Sequence, residues 1–123
     1  MTGSTIRRGA AATAALALLL TTSACGGDDE GGSTEVKVIE VSLEGGTITP
    51  DGDRIDVDVN QPIDLVVTAD EPGTLHLHSS PEQTFEFDAG ENAPIELQFD
   101  RPGLVELELH EPASLPVLEL QIK

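Results

Sequence analysis

The chain predicts an all-β domain, and three observations carry that expectation. From about Thr34 to Lys123, apolar and polar residues alternate in run after run, the pattern of strands with one buried face. Clusters of turn-forming residues separate the runs: Pro50-Asp51-Gly52, Glu71-Pro72-Gly73, Ala89-Gly90-Glu91-Asn92 and Arg101-Pro102-Gly103. No stretch of this region carries an apolar stripe of helical period. A sandwich of about seven to eight strands satisfies all three.

The runs follow in order. Val36 to Leu43 intersperses valine, isoleucine and leucine with Lys37, Glu40 and Ser42, and Ile55 to Val59 alternates strictly with Asp56 and Asp58 facing out. Ile63 to Thr68 is rich in β-branched residues, which suit a pleated surface. Thr74 to His78, Thr84 to Asp88 and Ile95 to Phe99 are short alternating segments, and Val105 to His110 and Val117 to Ile122 close the domain. Inward positions are expected at Ile55, Val57, Val59, Leu65, Val67, Leu75, Leu77, Phe85, Phe87, Ile95, Leu97, Phe99, Val105, Leu107, Leu109, Leu118, Leu120 and Ile122. That core is aliphatic and small, so the domain is expected to be marginally stable and helped by salt.

The 123 residues hold 23 acids and 6 Lys or Arg, a net charge of −17. With no Trp, no Tyr and three Phe, the chain lacks both the cationic groove and the stacking platforms of nucleic-acid binding, and DNA and RNA are excluded as ordinary partners. The single Cys, Cys25, excludes an internal disulfide and a paired-cysteine zinc site. No Ser-His-Asp order and no Gly-x-Ser-x-Gly turn supports a nucleophilic enzyme. Asp51, Asp53, Asp56 and Asp58 lack calcium-loop spacing, and Asp56 and Asp58 read as a solvated strand face.

Ahead of the domain, Arg7 and Arg8 precede an uncharged Ala/Leu run from Gly9 to Leu20, followed by small and hydroxyl residues. That order reads as a secretory signal. The run of about 12 residues is well short of the roughly 20 a bilayer-spanning helix needs. Residues 26–33 are glycine-rich and acidic, with no apolar side chain to bury, and read as a flexible tether. Removal of residues 1–24 would leave 23 acids against 4 bases, a balance of −19.

Two resemblances extend this reading. Thr22-Ser23-Ala24-Cys25 resembles the bacterial lipoprotein cleavage box, with Thr22 where that box usually has Leu. The resemblance implies a signal peptide over 1–24, a lipidated Cys25, a tether over 25–33, and attachment to the outer face of the cell membrane by acyl chains such as palmitate. General secretion is the expected route.

The second covers the domain from about Val36 onward. Phe99-Asp100-Arg101-Pro102-Gly103-Leu104-Val105-Glu106-Leu107 and Leu75-His76-Leu77-His78 resemble stretches of the cupredoxin fold, a Greek-key sandwich. The blue copper function does not carry over. Its ligand Cys would fall at or near Leu109, no His or Met follows His110, and type 1 copper needs the thiolate. The chain is more similar to cupredoxin-like secreted domains that carry His-x-His on one strand and Glu-x-His on another, here His76-Leu77-His78 and Glu108-Leu109-His110. After His78 the family phrase continues Gly-Tyr-Asp, where this chain has Ser79-Ser80-Pro81.

Alternation places His76 and His78 on one strand face, their Cα atoms about 7 Å apart, opposite Leu75 and Leu77. Glu106, Glu108 and His110 lie opposite Val105, Leu107 and Leu109, and the cupredoxin resemblance makes the two strands neighbours. Three imidazoles with Glu108 beside them suit Cu²⁺ or Zn²⁺. Two further readings stay open: a solvated face where His pairs with Glu across the sheet, and a pH-responsive patch. At the level of function the expectation is an exported, lipid-anchored binding protein of monomeric state with a copper or zinc site at His76, His78, His110 and Glu108. The alternative is a metal-free acidic interaction module at the cell surface, and an enzyme would require an open metal position with a bound water and a base such as Glu108. The sequence identifies no protein partner.

Overall fold

The computed structural model describes residues 33–123, and the expected signal peptide over 1–24, the lipidation site Cys25 and the tether up to residue 32 lie outside the described residues. Within the described residues ten strands form two sheets: β1 (Lys37–Glu44), β2 (Thr47–Thr49), β3 (Asp53–Val57), β4 (Ile63–Ala69), β5 (Gly73–His78), β6 (Gln83–Phe87), β7 (Gly90–Glu91), β8 (Ile95–Leu97), β9 (Gly103–Glu111) and β10 (Leu115–Ile122). One sheet runs β2-β1-β4-β7 with β8 also paired to β4, and the other runs β3-β10-β9-β5-β6. Both are mixed, because β1 pairs β4 in parallel and β10 pairs β3 in parallel while the remaining ladders are antiparallel.

Alternation builds the core. In β1, Ile39, Val41 and Leu43 are buried, while Val38, one residue out of phase, is 59% exposed on the outer face. From the second sheet Leu75, Leu77, Leu107 and Leu109 stand in cross-strand rows, each at most 1% exposed. Phe87 is the only aromatic among the buried side chains, so the interior is aliphatic as expected.

The structure departs from the expected strands and core at several places, each with a local cause. β2 and β7 were not anticipated, being three and two residues long. β2 arises because Gly45 and Gly46, at φ 58° and 76°, make a two-residue turn that returns the chain antiparallel to β1. Ile39, Val41, Leu43, Ile48, Ile63, Ala69 and Val117 join the core beyond the expected set. Val117 and Leu118 are both buried because the β9–β10 register shifts between Pro116 and Leu118, which breaks the alternation there. Ile55, Val59, Phe85, Ile95 and Phe99 are half-buried rather than central. Ile55, Phe85 and Ile95 lie on strands paired on one side only, and Val59 and Phe99 lie two residues past the ends of theirs.

Gly73 opens β5 where no side chain fits, since a Cβ there would run into the Glu111 carbonyl oxygen and the Phe87 ring. At the opposite end of the sandwich, Ser33 donates its N–H to Asp58 Oδ2 at 3.1 Å, and the Gln61 amide donates to the Glu35 carbonyl at 3.1 Å. The C-terminal Lys123 closes the same corner through hydrogen bonds with Val57 and Val59 and an ion pair to Asp56 at 2.6 Å.

Leu107, facing the core from the middle of β9, is the position where truncation should be felt most. Leu107→Ala should lower unfolding free energy by about 2–5 kcal/mol, whereas Val38→Ala should stay within about 0.5 kcal/mol of the parent. Urea unfolding followed by far-ultraviolet circular dichroism checks both without needing Trp or Tyr.

Candidate metal centre

The site grows out of the β5–β9 ladder on the outer face of the second sheet. With Leu75 and Leu77 turned into the core, His76 and His78 must stand on the solvent side of β5. Antiparallel pairing sets His76 opposite Glu108 and His78 opposite Glu106. Between the pairs Leu75↔Leu109 and Thr74↔Glu111 the register slips by one residue, so His110 has no partner on β5. This bulge leaves His110 beside the other two histidines with its ring free to lean over them.

All three rings meet. His76 and His78 stack with centroids 4.5 Å apart at 9°, and His110 tilts against His76 with centroids also 4.5 Å apart. One ring nitrogen from each of His76, His78 and His110 lies within 4.8 Å of the others. Their side chains are 19%, 35% and 41% exposed, so the cluster is shielded but open to solvent.

Glu108 sits among them, its Oε2 3.0 Å from His78 Nε2 and 3.5 Å from His110 Nε2. The hydrogen bond that His78 donates to Glu108 holds the His78 pKa above the ordinary imidazole value, against the desolvation that would lower it, with the charges of Glu108, Glu82 and Glu106 adding to the rise. Reciprocally, the hydrogen bond from His78 holds Glu108 below the usual carboxylate range. Along the same row of the sheet, Glu106 faces Glu119, and Arg54 pairs with Glu119 on β10's far side. An imidazole and a guanidinium therefore flank two facing carboxylates.

Each histidine and Glu108 thus stands where the strand-face argument expects it. The sequence reading missed Glu82, on the connection 79–82, whose carboxylate stands 3.5 Å from His76 Nε2. Its only sequence signal is its place four residues after His78 in a hairpin turn. In the same connection Ser79 Oγ donates to the Pro81 carbonyl at 2.6 Å. The solvated-face reading holds for Asp56, which is exposed and ion-paired to Lys123.

The donor set fits a divalent transition metal. Three imidazoles and a carboxylate are the ligand types of Zn²⁺ and Cu²⁺. His76 Nε2 is closed off from solvent and has no hydrogen-bond partner, an orphaned nitrogen that a metal ion would satisfy. Among the described residues there is no Cys or Met. Leu109, where the resemblance would place a copper-binding cysteine, is a core leucine.

The architecture matches solved copper proteins. It is similar to a blue copper oxidase from Nitrosomonas europaea, at TM-score 0.55 and 18% identity over 72% of this chain and 44% of that one. The fold is cupredoxin-like. A multi-copper oxidase from Pseudomonas thermotolerans matches at TM-score 0.52 and 16% identity, over 74% of this chain and 30% of its own. An amicyanin variant in its Cu(I) form matches at TM-score 0.50 and 13% identity, over 70% of this chain and 82% of that protein. This chain therefore spans less than half the length of either oxidase. No protein-family model matches the sequence, and no curated protein does. The cupredoxin-like sandwich thus carries a surface cluster of three histidines and, among the described residues, lacks the blue copper ligand set.

The His78–Glu108 pair makes stability depend on pH. The raised pKa of His78 contributes stability that is full below the ordinary value of 6.5 and lost as pH rises through the raised value. The lowered pKa of Glu108 contributes stability that is full above 4.5 and lost as pH falls through the lowered value. Both contributions coexist at about pH 5 to 6. Without metal, the Tm difference between the parent and Glu108→Gln should be largest there and shrink on either side, and the His78 ring should titrate at lower pH in the variant by NMR.

Proposed function

We propose that this chain is an exported, lipid-anchored binding protein that holds one divalent metal ion, Cu²⁺ or Zn²⁺, through His76, His78, His110 and Glu108. The observation that carries the reading is the meeting of three imidazole nitrogens within 4.8 Å, contributed by two neighbouring strands. Metal handling or sensing, rather than blue copper electron transfer, is the role that suits a site without a thiolate. The acid excess of the chain supports it by raising the local concentration of cations.

Calorimetric titration of Cu²⁺ and Zn²⁺ into the purified chain tests the reading. Saturable one-to-one binding is expected, lost in a His76→Ala, His78→Ala, His110→Ala triple variant. Affinity should fall as pH drops through the raised His78 pKa, because protons compete for the same nitrogens. Weak, salt-sensitive uptake equal in both proteins would remove the metal site.

Anchoring is tested separately. Cys25→Ser should move the protein from the membrane fraction to the soluble fraction of the exporting cell, since the acyl chains would have no thiol to occupy.

A second reading is favoured by the 3.0 Å contact between His78 and Glu108, which pairs these groups without any ion. In that case the chain is an acidic interaction module, and the triple histidine variant would retain its partner binding.

A further inference from the structure

The connection between β5 and β6 carries Glu82 over the imidazole cluster. Glu82 Oε2 is 3.5 Å from His76 Nε2, and Oε1 is 3.9 Å from His78 Nδ1. Both separations are too long for good hydrogen bonds. The first, at 3.5 Å, is nonetheless close to the separation of groups that share an ion: two donors bound tetrahedrally at about 2.0–2.1 Å lie about 3.3–3.4 Å apart. Glu108 Oε2 stands at the same separation, 3.5 Å, from His110 Nε2. The second, independent sign is His76 Nε2 itself, shut away from water and unpartnered although the carboxylate of Glu82 is the charged group beside it.

We propose that Glu82 is a metal ligand facing Glu108 across the three histidines, and that these two carboxylates together make the site select divalent over monovalent cations. The inference rests on the reading that the histidines bind metal. Three neutral imidazoles contribute no charge and two carboxylates contribute two negative charges, so a divalent ion is neutralised at the site. A monovalent ion feels half the Coulomb attraction and leaves one negative charge uncompensated. Soft monovalent ions such as Cu⁺ and Ag⁺ also favour sulfur donors, and the described residues contain none. The other oxygen of Glu82 faces His78 Nδ1. As Glu82 closes on the ion, Oε1 takes the Nδ1–H in a hydrogen bond and leaves the Nε2 lone pair to the metal.

Glu82 suits such a test because little else depends on it. Its side chain is 66% exposed, and the hairpin around it is closed by the backbone ladder of β5 with β6. Glu82→Gln keeps the shape and removes the charge.

The experiment is competitive measurement of Zn²⁺ and Ag⁺ affinity on the purified chain carrying Cys25→Ser throughout, which removes the thiol that would capture Ag⁺, as that background alone, with Glu82→Gln and with the triple histidine change, with circular dichroism of the metal-free proteins as a folding control. Glu82→Gln should lose about ten-fold or more in Zn²⁺ affinity, and Ag⁺ affinity should fall only by about the square root of that factor, about three-fold for a ten-fold Zn²⁺ loss. Unchanged Zn²⁺ affinity in Glu82→Gln, or an equal loss for both ions, overturns the role of Glu82 while leaving the histidine site standing if the triple variant has lost Zn²⁺. A parent chain that takes up no Zn²⁺ overturns both.

Discussion

The antiparallel ladder between β5 and β9 is the contact on which the rest of the molecule depends. Its inward rows, Leu75 with Leu109 and Leu77 with Leu107, lie at the centre of the aliphatic core. Because side chains alternate across a strand, burying those leucines obliges the residues between them to stand on the opposite face. The same ladder therefore places His76 and His78 over Glu108 and Glu106. Packing and chemistry are two sides of one register, and a one-residue slip would put imidazoles into the core and leucines into water.

A single irregularity completes the arrangement. The extra residue at His110 takes it out of the ladder, so its ring is placed by the bulge and by its tilted contact with His76. The start of β5 next to this bulge is occupied by Gly73, whose missing side chain makes room for the Glu111 carbonyl and the Phe87 ring. Around the cluster the electrostatics are crowded with acids, and the few cations have defined places. Arg54 answers Glu119, and Lys123 answers Asp56. In the cluster itself the hydrogen bond between His78 and Glu108 shifts both partners, raising the imidazole and lowering the carboxyl.

Much of this was legible in the residues. Strict alternation through Thr74 to His78 and Val105 to His110 identified which side chains face out, since a Leu-x-Leu row has only one sensible direction. That the two strands are neighbours came from the cupredoxin resemblance, as periodicity says nothing about pairing order. The strands that went unseen, Thr47–Thr49 and Gly90–Glu91, are too short to show a period. Val117 was missed because a bulge overrides alternation, and Ile55 and Phe85 were overrated because pattern alone does not reveal which strands lie at a sheet edge. Glu82 went unnoticed for a different reason. Its place beside His76 is set by how a hairpin folds back, a property of the turn in three dimensions rather than of residue spacing.

Both ends of the described chain meet at one corner of the sandwich, Ser33 bonded to Asp58 and Lys123 to Val57 and Val59. Counted along β9 from Gly103, which pairs Ile122 at that corner, the histidine rows begin at Glu106 and run away from it. Termini so close together are the condition under which circular permutation and fusion are tolerated. A neighbouring module joined at either end would meet the domain at its narrow tip, and the broad face that carries the imidazoles would remain turned to the side, open to whatever diffuses past.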